Sequence, residues 1–259
     1  GMLLGLNKAV PSPSNRVTIF VVKDDRQVRK LAGDAQNSLY AYYVPRAGAS
    51  IAIVPQIEVS SGQLEFSMIA LLHEYAHHIT LSTSGFTLPR WLGEGVAEFY
   101  ASAKFETDGG ISIGRPATHR AGELFYAKDV TATTLLDPDL YEKIRGKSKD
   151  SYDAYYGKSW LLYHYLFFNA QRSGQLSTYL KLIGAGKSSK EAGVEAFGDL
   201  TVLEKDLDKY LKAAKMTMLK LPGNRIETSP VALRELSEGE AAIMPVRIRS
   251  RNGVTEAQA

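Results

Sequence analysis

The 259-residue sequence contains no cysteine, which excludes a disulfide framework and any thiolate metal site. A bound metal would have to be held by histidine and carboxylate, and there are only five histidines to supply imidazole. No run approaches the roughly 18 to 20 uninterrupted apolar residues of a membrane helix, so no membrane span is expected. The apolar start Met2-Leu3-Leu4 is too short for the core of a signal peptide and has no basic flank. Charge of one sign is not in excess either: 31 Lys and Arg face 28 Asp and Glu, and the net +3 is spread along the chain. Without a basic stripe, nucleic acid is not an expected partner.

What remains is ordinary globular usage, 44% hydrophobic and 23% charged, over enough residues to bury a sizeable core. After a Pro/Ser stretch at Pro11 to Ser14, the run Val17 to Val22 is β-branched and apolar without alternation, the pattern of a buried strand. Leu39 to Val44 and Ser50 to Glu58 read as two further strands, and Pro55 inclines the second toward a sheet edge or a bulge. A helix is expected between them and the first strand, near Asp25 to Leu31.

From Gln63 to Leu81 the apolar residues Leu64, Met68, Leu71, Leu72, Tyr75 and Ile79 recur at helical spacing, predicting a long buried helix. Pro89 suits the first turn of a second helix to Ala103, and Asp108-Gly109-Gly110 before ISIG predicts a tight hairpin. Helical periodicity returns over 153–170, 176–182, 189–197 and 201–215. From Leu221 onward the chain is more polar and keeps no sustained period, so it reads as a linker. The expected organisation is a linker over 1–16, an α+β domain over 17–216 with its sheet in 17–60 and its helices in 61–216, and an extension or linker over 217–259.

The chemistry is concentrated in His73-Glu74-Tyr75-Ala76-His77. Residues four apart share a helix face, so the two imidazoles can bind one ion while Glu74 flanks it. Catalytic zinc takes three protein ligands and keeps a position for water. The next helix offers Glu94 as the third, and Glu98 one turn later as a carboxylate that could orient a ligating histidine through its other ring N–H. His78 points about 100° from His77 and suits packing or a surface role better than ligation. His119 is expected to be exposed, and His164 to be a core histidine.

These residues resemble the gluzincin metallopeptidases, in which the HExxH histidines are joined by a glutamate from a later helix. Pro89-Arg90-Trp91-Leu92-Gly93-Glu94-Gly95-Val96-Ala97-Glu98-Phe99 is similar to the WLxEGxAxY signature of the aminopeptidase branch and of bacterial peptidase-MA-like families. Tyr156-Gly157-Lys158-Ser159 looks like their YxKG segment, with Ser159 in place of the glycine and Tyr155 as the neighbouring alternative match. The resemblance covers roughly residues 17 to 215. It implies a thermolysin-like zincin domain, with a small mixed sheet whose edge strand lies over the active-site helix and a helical lobe after it. It also implies a zinc cofactor on His73, His77 and Glu94, Glu74 as the base activating the metal's water, and Tyr156 beside the scissile carbonyl.

A peptide or protein is the implied substrate and export from a bacterial cell the implied destination. The GxMEN segment with which the aminopeptidase branch recognises a free amine does not occur before His73, which favours an endopeptidase. Ser50 to Glu58 is then the expected edge for pairing with an extended peptide, with Glu58 as a possible contact for an amine. The alternative reading of the same motifs is a zinc domain without activity that binds a protein or polymer partner.

Overall fold

The computed structural model describes residues 16–32, 39–46, 50–56, 66–126, 129–145, 154–226 and 230–252. These residues form a mixed α+β structure of small sheets and many helices. The chain divides into two compact units, one made of 1–82 with 224–259 and the other of 83–223. Among the described residues no helix is long and apolar enough to cross a membrane.

The first unit contains β1 (Val17–Val22), α1 (Asp25–Ala32), β2 (Tyr42–Val44), β3 (Ser50–Pro55), α2 (Phe66–Thr83) and α11 (Glu238–Asn252), the last numbered by its place in the whole chain. The strand order is β1-β3-β2, with β3 parallel to β1 and antiparallel to β2. This corrects the expectation that Ser50 to Glu58 forms the edge. Every residue of β3 is buried, because Ile51, Ala52, Ile53 and Val54 have no polar alternation and need cover on both faces, as a central strand provides. Pro55 is the last residue of the strand, paired opposite Val22. The antiparallel edge is β2 instead, shorter than the expected Leu39 to Val44. Glu58 lies outside the described residues.

The tail also departs from the linker reading. Over Glu238–Asn252 it forms α11, whose Ile248 is buried with Val22, Val28, Ile51 and Ile53 while Met244 packs against the same cluster. The helix α2 is less buried than its apolar sequence suggests. Ser67, Ala76, His78 and Thr80 are buried, while Tyr75 and Leu81 are largely exposed.

The second unit begins with α3 (Arg90–Ala101) and the expected hairpin of β4 (Lys104–Phe105) and β5 (Ile111–Ile113). Gly109 adopts a positive φ of 78° in its turn. Three short helices follow that the sequence reading did not foresee: α4 (Ala121–Tyr126), α5 (Ala132–Leu136) and α6 (Pro138–Ile144). Their start signals are nonetheless present. Thr131 and Thr134 form a capping box on α5, and Asp137 caps α6 ahead of Pro138 in its first turn.

Then come α7 (Tyr155–Phe168), α8 (Gln175–Gly184), α9 (Ser189–Phe197), α10 (Leu200–Leu211) and β6 (Leu219–Leu221), which pairs with β5. The core is built where α3 meets α7. Trp91, Val96 and Phe99 from one helix and Trp160, Leu161, Leu162 and Tyr163 from the other are almost wholly buried. Gly95 makes this approach possible, since a Cβ there would lie 2.6 Å from the carbonyl oxygen of Ser159.

Candidate metal centre

His73 and His77 lie one turn apart on α2, and their Nε2 atoms are 3.0 Å from each other with the rings nearly perpendicular at 81°. Tetrahedral zinc with Zn–N bonds of about 2.0 to 2.1 Å would set two nitrogen ligands about 3.3 to 3.4 Å apart, so the rings need part by only a few tenths of an ångström. Glu94, on the first turns of α3, offers the third donor. One ligand atom each from His73, His77 and Glu94 lie within 4.8 Å of one another, and all three residues are half-buried. Two imidazoles and a carboxylate, with no thiolate, are a donor set that divalent transition metals such as zinc and iron accept. The donor set and spacing therefore fit a metal ion. Glu74, beside His73 on the same helix, is half-buried too.

His78 is buried, its Nδ1 3.0 Å from the hydroxyl of Tyr43, which in turn donates to Ser50 Oγ at 2.9 Å. It ties α2 to the sheet, which is the packing and not the surface role of the two expected for it. His164 is a core histidine as anticipated. Its Nε2 lies 2.8 Å from the Gly114 carbonyl oxygen and its Nδ1 2.8 Å from the Tyr210 hydroxyl, and burial pulls its pKa down to about 4.

His119 is not exposed as expected; its side chain is only 10% accessible, with Nε2 2.7 Å from Glu98 Oε2. Glu98 is fully buried. Its Oε1 accepts from Arg120 Nη2 at 2.6 Å and Nε at 3.1 Å. Arg120 Nη1 also donates to Glu123 Oε1 at 2.7 Å, and Glu123 Oε2 accepts from the Gly157 backbone N–H at 3.0 Å. Burial opposes the charge on Arg120, but Glu98 and Glu123 more than offset it and hold the guanidinium protonated. Burial is also the larger influence on Glu123, raising its pKa against the pull of Arg120. Sequence reasoning missed His119, Arg120 and Glu123, which lie 21 or more residues from Glu98 and carry no local pattern.

A family described as "Protein of unknown function (DUF1570)" matches residues 68–186. That span includes His73, Glu74, His77, Glu94, Glu98 and Tyr156. Comparison with curated proteins and with solved structures gave no significant match.

The two tyrosines at the start of α7 differ in surroundings. Tyr155 is 3% exposed, its ring 4.4 Å from that of Tyr141 and 4.3 Å from the Arg90 guanidinium. Tyr156 is half-buried, accepts a hydrogen bond from Arg90, and lies beneath the Arg120 guanidinium at 4.9 Å. Burial raises the pKa of Tyr156 first and the charge of Glu94 adds to it, with Arg90 and Arg120 opposing.

Proposed function

We propose that this chain is a zinc-dependent peptide-bond hydrolase of the gluzincin type, in a thermolysin-like arrangement. His73, His77 and Glu94 are the metal ligands, Glu74 is the general base and Tyr156 is the donor to the oxyanion. The observation that carries the reading is the convergence of the three ligand atoms within 4.8 Å. It is supported by the order of the groups: a carboxylate directly follows the first histidine, and the charge of Glu94 helps raise the pKa of the Tyr156 phenol.

Zinc held by these residues supplies Lewis acidity, polarising a carbonyl and lowering the pKa of water from 15.7 toward about 7. Glu74 accepts the proton of the attacking water on a carboxylate oxygen and returns it to the departing nitrogen. Tyr156 is protonated through the neutral range, as any phenol is and the more so with its pKa raised by burial, so it can donate its O–H to the oxygen on which negative charge builds. A hydrogen bond that strengthens as that charge develops lowers the barrier rather than merely tightening binding. Glu98, one turn beyond Glu94, anchors this part of α3 through Arg120 and is proposed to orient a ligating histidine.

The test is metal analysis followed by peptide hydrolysis. The wild type is expected to hold zinc in an equimolar amount and His77→Ala to lose it. Glu74→Gln should keep the zinc and lose about 10²- to 10⁴-fold in rate. A wild type that takes up no zinc, or a zinc-bearing Glu74→Gln protein with undiminished hydrolysis, would overturn the proposal.

A further inference from the structure

We infer that Arg90 recognises a carboxylate on the substrate, within one residue of the bond to be cleaved. The inference rests on the peptidase reading for its placement and names the substrate feature that the same site selects.

Arg90 opens α3 and Glu94 follows four residues later, about 6 Å along the axis and about 40° around it, so the two share a helix face. The guanidinium is fixed rather than free to wander. It lies 4.3 Å from the ring of Tyr155 and 5.3 Å from that of Tyr141, both 3% exposed, and donates to the phenol of Tyr156. Its side chain is nevertheless 39% accessible, so a ligand can reach it. A cation held against buried rings has already lost much of the rotamer freedom that binding would otherwise remove.

Two arginines flank Tyr156, and they differ in what occupies them. Arg120 is taken up by two buried carboxylates, Glu98 and Glu123, at 2.6 and 2.7 Å. Among the described residues the one ion pair of Arg90 is with Glu142 at 4.0 Å, too long for a hydrogen bond. Glu142 is itself 60% exposed and lies 3.6 Å from Arg145. Arg90 therefore retains donors that a carboxylate could engage with both oxygens, the pairing for which a guanidinium fork is shaped.

Placement sets the reach. Arg90 touches Tyr156, which serves the reacting carbonyl in the proposed reaction. Successive Cα atoms are about 3.8 Å apart, so a substrate group meeting Arg90 belongs to a residue at or next to the cleaved bond. That carboxylate is either the C-terminal one or the side chain of an aspartate or glutamate.

The test is binding, read by ligand-observed NMR titration of the full chain after its zinc content has been measured. The probes are N-acetyl-leucine, its carboxamide, and N-acetyl-aspartic acid α-amide. One of the two acids is expected to bind about tenfold more tightly than the neutral carboxamide, as a charge-assisted hydrogen bond would give. Arg90→Gln should abolish that preference and Arg90→Lys should retain part of it. Which acid is preferred identifies the source of the carboxylate. Should Arg90→Gln fail to fold, Glu142→Gln serves, since removing the competing carboxylate should tighten binding of the preferred acid severalfold. Equal binding of acids and carboxamide, a preference that survives Arg90→Gln, or acid binding unchanged by Glu142→Gln would overturn the inference. The zinc measurement separates this result from the fate of the peptidase reading, because carboxylate preference lost on Arg90→Gln stands whether or not peptides are cleaved.

Discussion

Two glycines flank the proposed third ligand, and replacing each with alanine should have opposite effects. A Cβ at Gly93 meets nothing within 4 Å. Helix propensity then acts alone, and Gly93→Ala should stabilise by up to about 1 kcal/mol. A Cβ at Gly95 would lie 2.6 Å from the Ser159 carbonyl oxygen and 3.0 Å from Tyr163 Cβ, where ordinary contact begins near 3.4 Å. The obstruction is backbone, so α3 and α7 must move apart by several tenths of an ångström across the main packing of their unit. Overpacking of this kind costs about 1 to 3 kcal/mol and the gain in propensity offsets about 1, leaving Gly95→Ala destabilised by about 2 kcal/mol at the severe end. Urea unfolding of the two variants beside the wild type measures both signs. Because Gly95 adjoins Glu94, a zinc–chelator competition should also show weaker metal binding in Gly95→Ala than in Gly93→Ala. If Gly95→Ala proves as stable as Gly93→Ala, the close approach of α3 and α7 is not what fixes glycine at this position.

His164 gives the stability a pH dependence of known sign. Burial holds its folded pKa down to about 4 against an ordinary 6.5, so the unfolded chain takes up a proton that the folded one refuses. Its contribution is fully present above pH 6.5, declines as the pH falls toward 4 and is flat below that. By about pH 5 the loss is about 2 kcal/mol, so between neutral pH and 5 the wild type should lose that much more stability than His164→Gln. Parallel pH dependence in the two proteins would contradict the assignment. In the other unit, Ile248→Ala removes a side chain that is 6% exposed and packed against Val22, Val28, Ile51 and Ile53. It should cost about 2 to 4 kcal/mol in denaturant unfolding, whereas a change under about 0.5 would mean that α11 contributes nothing to that core.

What could be read from the sequence was local in origin. The spacing of His73 and His77 and the turn between Glu94 and Glu98 follow from helix geometry, α1 and α9 from periodicity bounded by turn residues, and β1 from an unbroken β-branched apolar run. Only Val22 of that strand is buried, however, and the expectation of a buried strand was wrong. The position of β3 was misjudged because Pro55 was weighed above the uninterrupted apolar run before it. The run identifies a central strand, and the proline only marks its end. The tail was misread because α11 anchors itself through Met244 and Ile248, four apart, while Ile243 and Val246 stay exposed and Pro245 interrupts the pattern. Two anchors make a docked helix but not a detectable period. The partners of Glu98 were out of reach for a different reason: no sequence pattern pairs a carboxylate with a histidine and an arginine 21 and 22 residues away.

That pairing is also the least economical feature of the unit in energetic terms. A fully buried carboxylate with His119 and Arg120 gains little over an apolar core of the same volume, so stability alone is a weak account of it. Its connectivity is more telling. Glu98 sits on the same face of α3 as Glu94; Arg120 joins Glu98 to Glu123; Glu123 accepts from the N–H of Gly157, the residue after Tyr156. The same guanidinium covers the ring of Tyr156. An unbroken path of charge-assisted hydrogen bonds thus runs from the helix that carries Glu94, the proposed third ligand, to the first turn of the helix that carries Tyr156. Bonds to buried charges are costly to break, so such a path resists the small displacements that would part Tyr156 from Glu94. It also accounts for the division between the two arginines. Arg120 is committed on both sides to buried carboxylates, which leaves Arg90, with its long contact to Glu142, as the one of the two proposed to meet a substrate.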